Sequence, residues 1–168
     1  IGIFDSGLGG LVIAKTIIKR LPKYDYIYFG DTKNLPYGEK SPGDIYRHTE
    51  KAVNFLFQRH CALIIIACNT ASAWALRKIQ QQYLPRYYPN RRVLGVIIPT
   101  LEVADDITPP LISPLKKGRG GKVKIGIIGT TATIKSHIYK KELMKIDAKA
   151  KIIELATPGL VPLIERNS

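Results

Sequence analysis

This chain of 168 residues has only two cysteines, one methionine and one tryptophan, and few acidic side chains. Two cysteines in this setting read better as free thiols, kept reduced by their compartment, than as a disulfide framework. No apolar run approaches the ~20 residues that a membrane span needs. The start, Ile1-Gly2-Ile3-Phe4-Asp5, has neither a basic n-region nor a cleavage site, which predicts a cytoplasmic protein. No cluster marks a metal site and no motif singles out a Schiff-base lysine, so no cofactor is expected. An initiator methionine is missing as well, and Ile1 opens directly into a strand pattern. Leu160 to Ser168 begins a helix-like pattern without a cap or a following strand, and truncation of the carboxyl end is expected.

What remains is globular in character: 45% hydrophobic residues with 14 Gly and 11 Pro. The length allows one well-cored domain plus part of another. The 26 basic against 13 acidic side chains give a net charge of +13. Basic residues are spread along the chain, with one cluster at Lys116, Lys117, Arg119, Lys122 and Lys124. That distribution reads first as solvated surface, then as attraction for a small anion, with nucleic acid the least favoured partner.

Strands and helices alternate. Ile1–Phe4 reads as a strand, Asp5 to Gly10 as a glycine loop, and Leu11–Leu21 as a helix closing on Pro22. Tyr26–Phe29 follows as a strand, with residues 30–38 a turn-rich loop. Ser41-Pro42-Gly43-Asp44 fits a capped helix start, the helix running to about His60. Leu63–Ala67 is apolar at every residue, as a strand covered on both faces should be. Ala71–Tyr83 is then expected as a helix and Val93–Ile98 as another buried strand. The stretch 108–121, with three prolines, reads as a surface insertion. Beyond it come a strand over Val123–Ile128, a loop over Gly129–Thr133, a helix over Ile134–Ile146 and a strand over Lys151–Leu155.

This pitch predicts an α/β fold, a doubly wound parallel sheet with ligands beyond the carboxyl ends of its strands. Asp5, Asp31 and Cys68 fall at such ends. Residues 1–98 are expected to form a first α/β domain, and 99–168 the start of a second that is incomplete here. Ile125-Gly126-Ile127 echoes Ile1-Gly2-Ile3, as two similar halves would.

Four loops carry the chemistry: Asp5-Ser6-Gly7, Pro36-Tyr37-Gly38, Ala67-Cys68-Asn69-Thr70-Ala71-Ser72 and Gly129-Thr130-Thr131-Ala132-Thr133. A free thiol, with a pKa near ~8.5, is poised closer to neutrality than Asp or Lys, and a helix start should favour its thiolate further. The bland alternatives are a buried structural cysteine for Cys68, helix capping for Asp5, Asn69, Thr70, Thr130 and Thr133, and an ordinary turn for Tyr37 and Gly38.

Together these loops resemble, in order and spacing, those of the glutamate racemases within the aspartate/glutamate racemase family, with Val161-Pro162-Leu163-Ile164-Glu165 as a fifth match. The resemblance implies an isomerase that interconverts L- and D-glutamate by proton transfer between two thiols, and that supplies D-glutamate for peptidoglycan. Catalytic roles fall by resemblance on Cys68 and Asp5. Substrate contacts fall on Asp5, Ser6, Pro36, Tyr37, Gly38, Asn69, Thr70, Thr130 and Thr133, with Asp31 and Glu165 weaker. It also implies no cofactor, and a homodimer is one possible assembly. The family's second thiol lies in a later Cys-Thr-His run that these 168 residues do not contain, and the chain alone is therefore expected to be inactive as a racemase. Cys61 cannot replace it, because seven strand residues at ~3.3 Å separate it from Cys68 by roughly 23 Å. His137 is a minor candidate.

Two nucleotide-binding patterns fail. Lys15-Thr16 sits inside the helix instead of at its start, and the spacing of Gly7, Gly9 and Gly10 does not match a dinucleotide fingerprint. A non-catalytic racemase remnant or binding module, and a racemase for aspartate, remain as alternatives.

Overall fold

The computed structural model describes residues 1–107, 124–146, 148 and 150–166, so the stretch 108–121 read above as an insertion lies outside the described residues. The first body is built from β1 (Gly2–Asp5), α1 (Gly10–Arg20), β2 (Ile27–Gly30), α2 (Pro42–Gln58), β3 (Leu63–Ile66), α3 (Asn69–Trp74), the short turns α4 (Leu76–Lys78) and α5 (Leu84–Tyr87), and β4 (Arg92–Gly95). Its four strands are parallel, in the order β2-β1-β3-β4. The second body holds α6 (Ile97–Ile107), β5 (Lys124–Gly129), α7 (Thr131–Ser136), α8 (Ile138–Ile146), β6 (Lys151–Ala156) and α9 (Leu160–Arg166), with β5 and β6 paired in parallel. The α/β class and the parallel winding expected from the sequence are what the chain adopts.

β1 is buried along its length because successive side chains enter different layers. Ile3 packs with Ala14 of α1 and with Ala67, while Phe4 joins the layer of Ile45, Val53 and Leu56 from α2. The buried positions of α2, Ile45, Thr49, Ala52, Val53, Leu56 and Phe57, recur at the spacing that lines one helix face. Its start follows the sequence reading: Pro42 occupies the first turn, and Ser41 Oγ accepts from the Asp44 amide at 3.1 Å. Cys61 lies in the same core as Leu56 and Ile64, as expected of a packing thiol.

Several expected elements differ. The strand expected over Val93–Ile98 ends at Gly95, and α6 begins at Ile97. Ile97 and Leu101, four residues apart on one helix face, pack with Leu143 of α8, and this tertiary contact turns the apolar run helical. Nor is β4 buried on both sides: Leu94 is 51% exposed. The helix expected from Ala71 to Tyr83 starts earlier, at Asn69, and continues through a π-helical turn at Ile79–Tyr83 to Tyr87. The one expected over Ile134–Ile146 starts at Thr131 and is divided at His137, whose φ of 53° is left-handed.

In the second body Ile125, Ile127 and Ile152 pack against α6 and α8, whereas Ile128, Ile153 and Leu155 are more than half exposed. Trp74 Nε1 donates to the Ala132 carbonyl at 2.8 Å, and Arg77 pairs with Glu142 at 2.8 Å, joining α3 and α4 to α7 and α8. Among the described residues no helix is long and apolar enough to cross a membrane.

Candidate active site

In the order β2-β1-β3-β4 the chain leaves β1 toward β2 on one side and reaches β3 on the other. A parallel sheet with this reversal opens a crevice between the carboxyl ends of β1 and β3. Asp5 ends β1 and Ser6 follows it, and Cys68 follows β3 across that crevice. The opening widens into a cleft of 780 Å³ walled on its far side by β5, α7 and α8. Its lining brings together Asp5, Ser6, Pro36, Tyr37, Gly38, Cys68, Asn69, Thr70, Thr130 and Thr133, the whole of the stronger sequence-derived set.

Asp5 is buried, and its Oδ2 accepts from the amides of Gly7 at 3.2 Å and Gly10 at 2.9 Å. Asp5 is not the N-cap of α1, a position held by Gly9, but its carboxylate satisfies the free Gly10 amide at the start of that helix. Gly10 makes this approach possible, since a Cβ there would lie 2.7 Å from Asp5 Cβ.

Cys68 is buried and occupies the N-cap position of α3, its sulfur accepting from the Ala71 amide at 3.4 Å. Asn69 and Thr70 are thus the first helical residues and not the cap. Ser6 Oγ lies 3.2 Å from Cys68 Sγ. Burial, reinforced by the negative charge of Asp5, pushes the Cys68 thiol up, and these outweigh the hydrogen bonds from Ser6 and Ala71 that pull it down. The helix start taken alone would favour a thiolate, but burial works in the opposite direction and the net effect on Cys68 is upward.

Tyr37 is 2% exposed, and its hydroxyl donates to Asp31 Oδ2 at 2.7 Å. Burial, with the Asp31 carboxylate beside it, raises the phenol far above its usual range and holds it protonated. Asp31 also accepts from Asn34 Nδ2 at 2.8 and 3.0 Å, so it anchors the Pro36–Gly38 loop from behind and is not among the cleft-lining residues. The loop then meets the second body at very close range: a Cβ on Gly38 would lie 2.6 Å from Thr130 Cβ.

Three hydroxyls, that of Thr70 from α3 and those of Thr130 and Thr133 from the start of α7, form a triangle where the two bodies meet. Thr70 Oγ1 is 2.9 Å from Thr130 Oγ1 and 3.1 Å from Thr133 Oγ1, and Thr130 donates to Thr133 at 2.9 Å. Thr130 also caps α7 by accepting from the Thr133 amide at 3.2 Å, so capping and cleft-lining coexist. Val161 and Pro162 line the cleft, while the side chain of Glu165 lies outside the described residues. His137 is turned away to Glu154, 2.6 Å from its carboxylate.

Sequence reasoning missed Tyr139, which lines the cleft and donates from its hydroxyl to Asn69 Oδ1 at 2.6 Å. A tyrosine within an amphipathic helix reads as packing, and nothing local in the sequence indicated a partner 70 positions away. Leu101, Ile125 and Leu143 complete an apolar wall. Among the described residues no group of three or more His, Cys, Asp or Glu is arranged to hold a metal ion.

No protein-family model matches the chain. Curated sequences do: a glutamate racemase from Geobacter metallireducens is 43% identical over 98% of this chain and 54% of its own length. Among solved structures, glutamate racemase from Aquifex pyrophilus superposes with a TM-score of 0.76 at 39% identity, covering 96% of this chain and 56% of that one. Glutamate racemase from Francisella tularensis, solved in complex with D-glutamate, gives 0.80 at 32% identity, covering 98% and 55%. The chain thus spans about half the length of the relatives it matches. By sequence and by fold, it belongs to the glutamate racemase family.

Proposed function

We propose that the cleft binds glutamate and that Cys68 is one of two thiols that carry the α-proton between the faces of its α-carbon. The observation that supports this most is the pairing of Ser6 and Cys68 at the β1–β3 crevice, facing the hydroxyls of Thr70, Thr130 and Thr133 across one cleft. Hydroxyls and amides at a helix start suit a carboxylate, and Asp5 suits the α-ammonium. A bound ammonium also offsets the Asp5 charge that helps keep the thiol neutral, so the Cys68 thiolate forms more readily once the substrate is present.

In the proposed reaction the Cys68 thiolate takes the α-proton and becomes a thiol, leaving a carbanion on the substrate. A second thiol on the opposite face gives its proton to that carbon and becomes the new thiolate. The reverse direction exchanges the two roles. The whole protein is proposed to act in the cytoplasm, to supply D-glutamate for peptidoglycan and to need no cofactor, with residues 1–98 and 99–168 contributing the two walls of the site. Cys61 is packed in the core of the first body and is not the second thiol.

The test uses deuterium oxide. The 168-residue chain is incubated with L- or D-glutamate, and Cα–H exchange and configuration are both followed. A single base returns hydrogen to the face it came from, so the expected result is deuterium in one enantiomer with retention, lost in Cys68→Ser. Inversion by this chain alone overturns the two-thiol assignment. Absence of exchange in both enantiomers overturns Cys68 as a base.

A further inference from the structure

We propose that Tyr139 is a positioning residue for the cleft: its hydroxyl fixes the Asn69 side-chain amide so that the Asn69 N–H groups face the cavity as donors to a substrate carboxylate. This rests on the glutamate reading above and adds the element that orients one of its donors.

An asparagine amide has an acceptor end and a donor end, and an unrestrained side chain presents either. Here the acceptor end is taken. Tyr139 Oη donates to Asn69 Oδ1 at 2.6 Å, across from α8 to the first turn of α3. Burial raises the Tyr139 phenol above its usual range, which keeps the hydroxyl in its donating form. With Oδ1 committed, Nδ2 is the end left to donate to an occupant of the cleft, which both residues line. Asn69 also follows Cys68 directly, so the orientation is set one residue from the thiol. Packing supports the placement: the Tyr139 ring that carries the hydroxyl sits against the cluster of Ile97, Leu101 and Leu143. The contact also joins the two walls, and the donor orientation exists only while they stand in this relation.

The test is Tyr139→Phe, which keeps the ring in its cluster and removes only the donor. Glutamate affinity and the Asn69 side-chain amide signals are read by ¹⁵N–¹H NMR on the 168-residue chain, with Asn69→Ala assigning the signals. In the parent chain two resolved Asn69 Nδ2 protons should move when glutamate is added. In Tyr139→Phe they should draw together, with affinity falling about fivefold, as loss of one hydrogen bond's net worth implies. Asn69→Ala should weaken binding at least as much, and the double variant no more than Asn69→Ala alone.

Unchanged affinity in Tyr139→Phe, unchanged Asn69 signals, or multiplying effects of the two substitutions would overturn the proposal. Should Tyr139→Phe fail to fold, Asn69→Asp answers the same question. It keeps an acceptor for Tyr139 but offers no N–H, so glutamate binding should be lost, and retained binding overturns the proposal. A parent chain that binds no glutamate instead refutes the reading of the cleft, and collapse of the Asn69 signals in Tyr139→Phe then decides the positioning on its own.

Discussion

Replacing Gly38 by alanine tests the contact on which the cleft's two walls depend. The added methyl would stand 2.6 Å from Thr130 Cβ, 2.9 Å from its Cγ2 and 3.2 Å from its Oγ1. Ordinary van der Waals contact begins near 3.4 Å, and the nearest of these atoms adjoins the α7 backbone, so no rotamer change relieves it. Thr130 is also held by its own cap and by hydroxyl bonds to Thr70 and Thr133. Overpacking of this kind costs about 1–3 kcal/mol, or roughly a 5- to 150-fold shift in the unfolding constant. Urea unfolding is the assay, with the single tryptophan as probe. Trp74 is well placed to report, because its Nε1 donates to Ala132 in the adjoining turn of α7. The midpoint should fall with the slope unchanged, and Thr130→Ser, which removes the Cγ2 methyl, should recover part of the loss. A Gly38→Ala chain with the parent midpoint and emission would refute the close approach.

Other expectations follow from the same geometry. Tyr37→Phe removes a hydrogen bond to a carboxylate and should cost about 1.5–3 kcal/mol by urea unfolding, while Phe4→Ala, which empties a fully buried site, should cost about 3–5 kcal/mol. The Cys68 thiol is raised by burial and by Asp5, so its alkylation should be slow at neutral pH and accelerate only above the ~8.5 of a free thiol. Asp5→Asn should move that acceleration to lower pH. The sign for stability follows: in this range the unfolded chain ionises Cys68 first, so this group lowers stability as pH rises through the ordinary thiol range and contributes nothing below it. Leu155→Lys, on the open face of the β5–β6 pair, should change stability by less than about 0.5 kcal/mol and reduce binding of a hydrophobic dye.

Much of the fold was legible because its signals are local. The wholly apolar Leu63–Ala67 run announced a covered strand, and Ser41-Pro42-Gly43-Asp44 announced a helix start, each from a few adjacent residues. The site was legible for a related reason: parallel sheets gather strand ends, so Asp5, Ser6 and Cys68 converge without long-range knowledge. What escaped depends on tertiary contacts. Ile97 and Leu101 become helical by packing on Leu143, and His137 divides a helix whose periodicity runs through it. The Cys68 thiol escaped in its energetics as well. Its helix-start position was visible, but burial and the proximity of Asp5 appear only when the chain is folded, and they reverse the expected direction. Asp31 and Tyr139 act through hydroxyl bonds to other residues, which sequence spacing does not encode.

The central claim, that Cys68 is the thiol of a glutamate-binding cleft, is tested most directly by alkylation followed by peptide mass spectrometry. The chain is treated with iodoacetamide at a pH where Cys68 reacts, with and without saturating glutamate. Glutamate should slow modification of Cys68, leave the rate at core-packed Cys61 unchanged, and lose its effect in Thr70→Ala combined with Thr130→Ala. Equal Cys68 rates with and without glutamate would contradict the account.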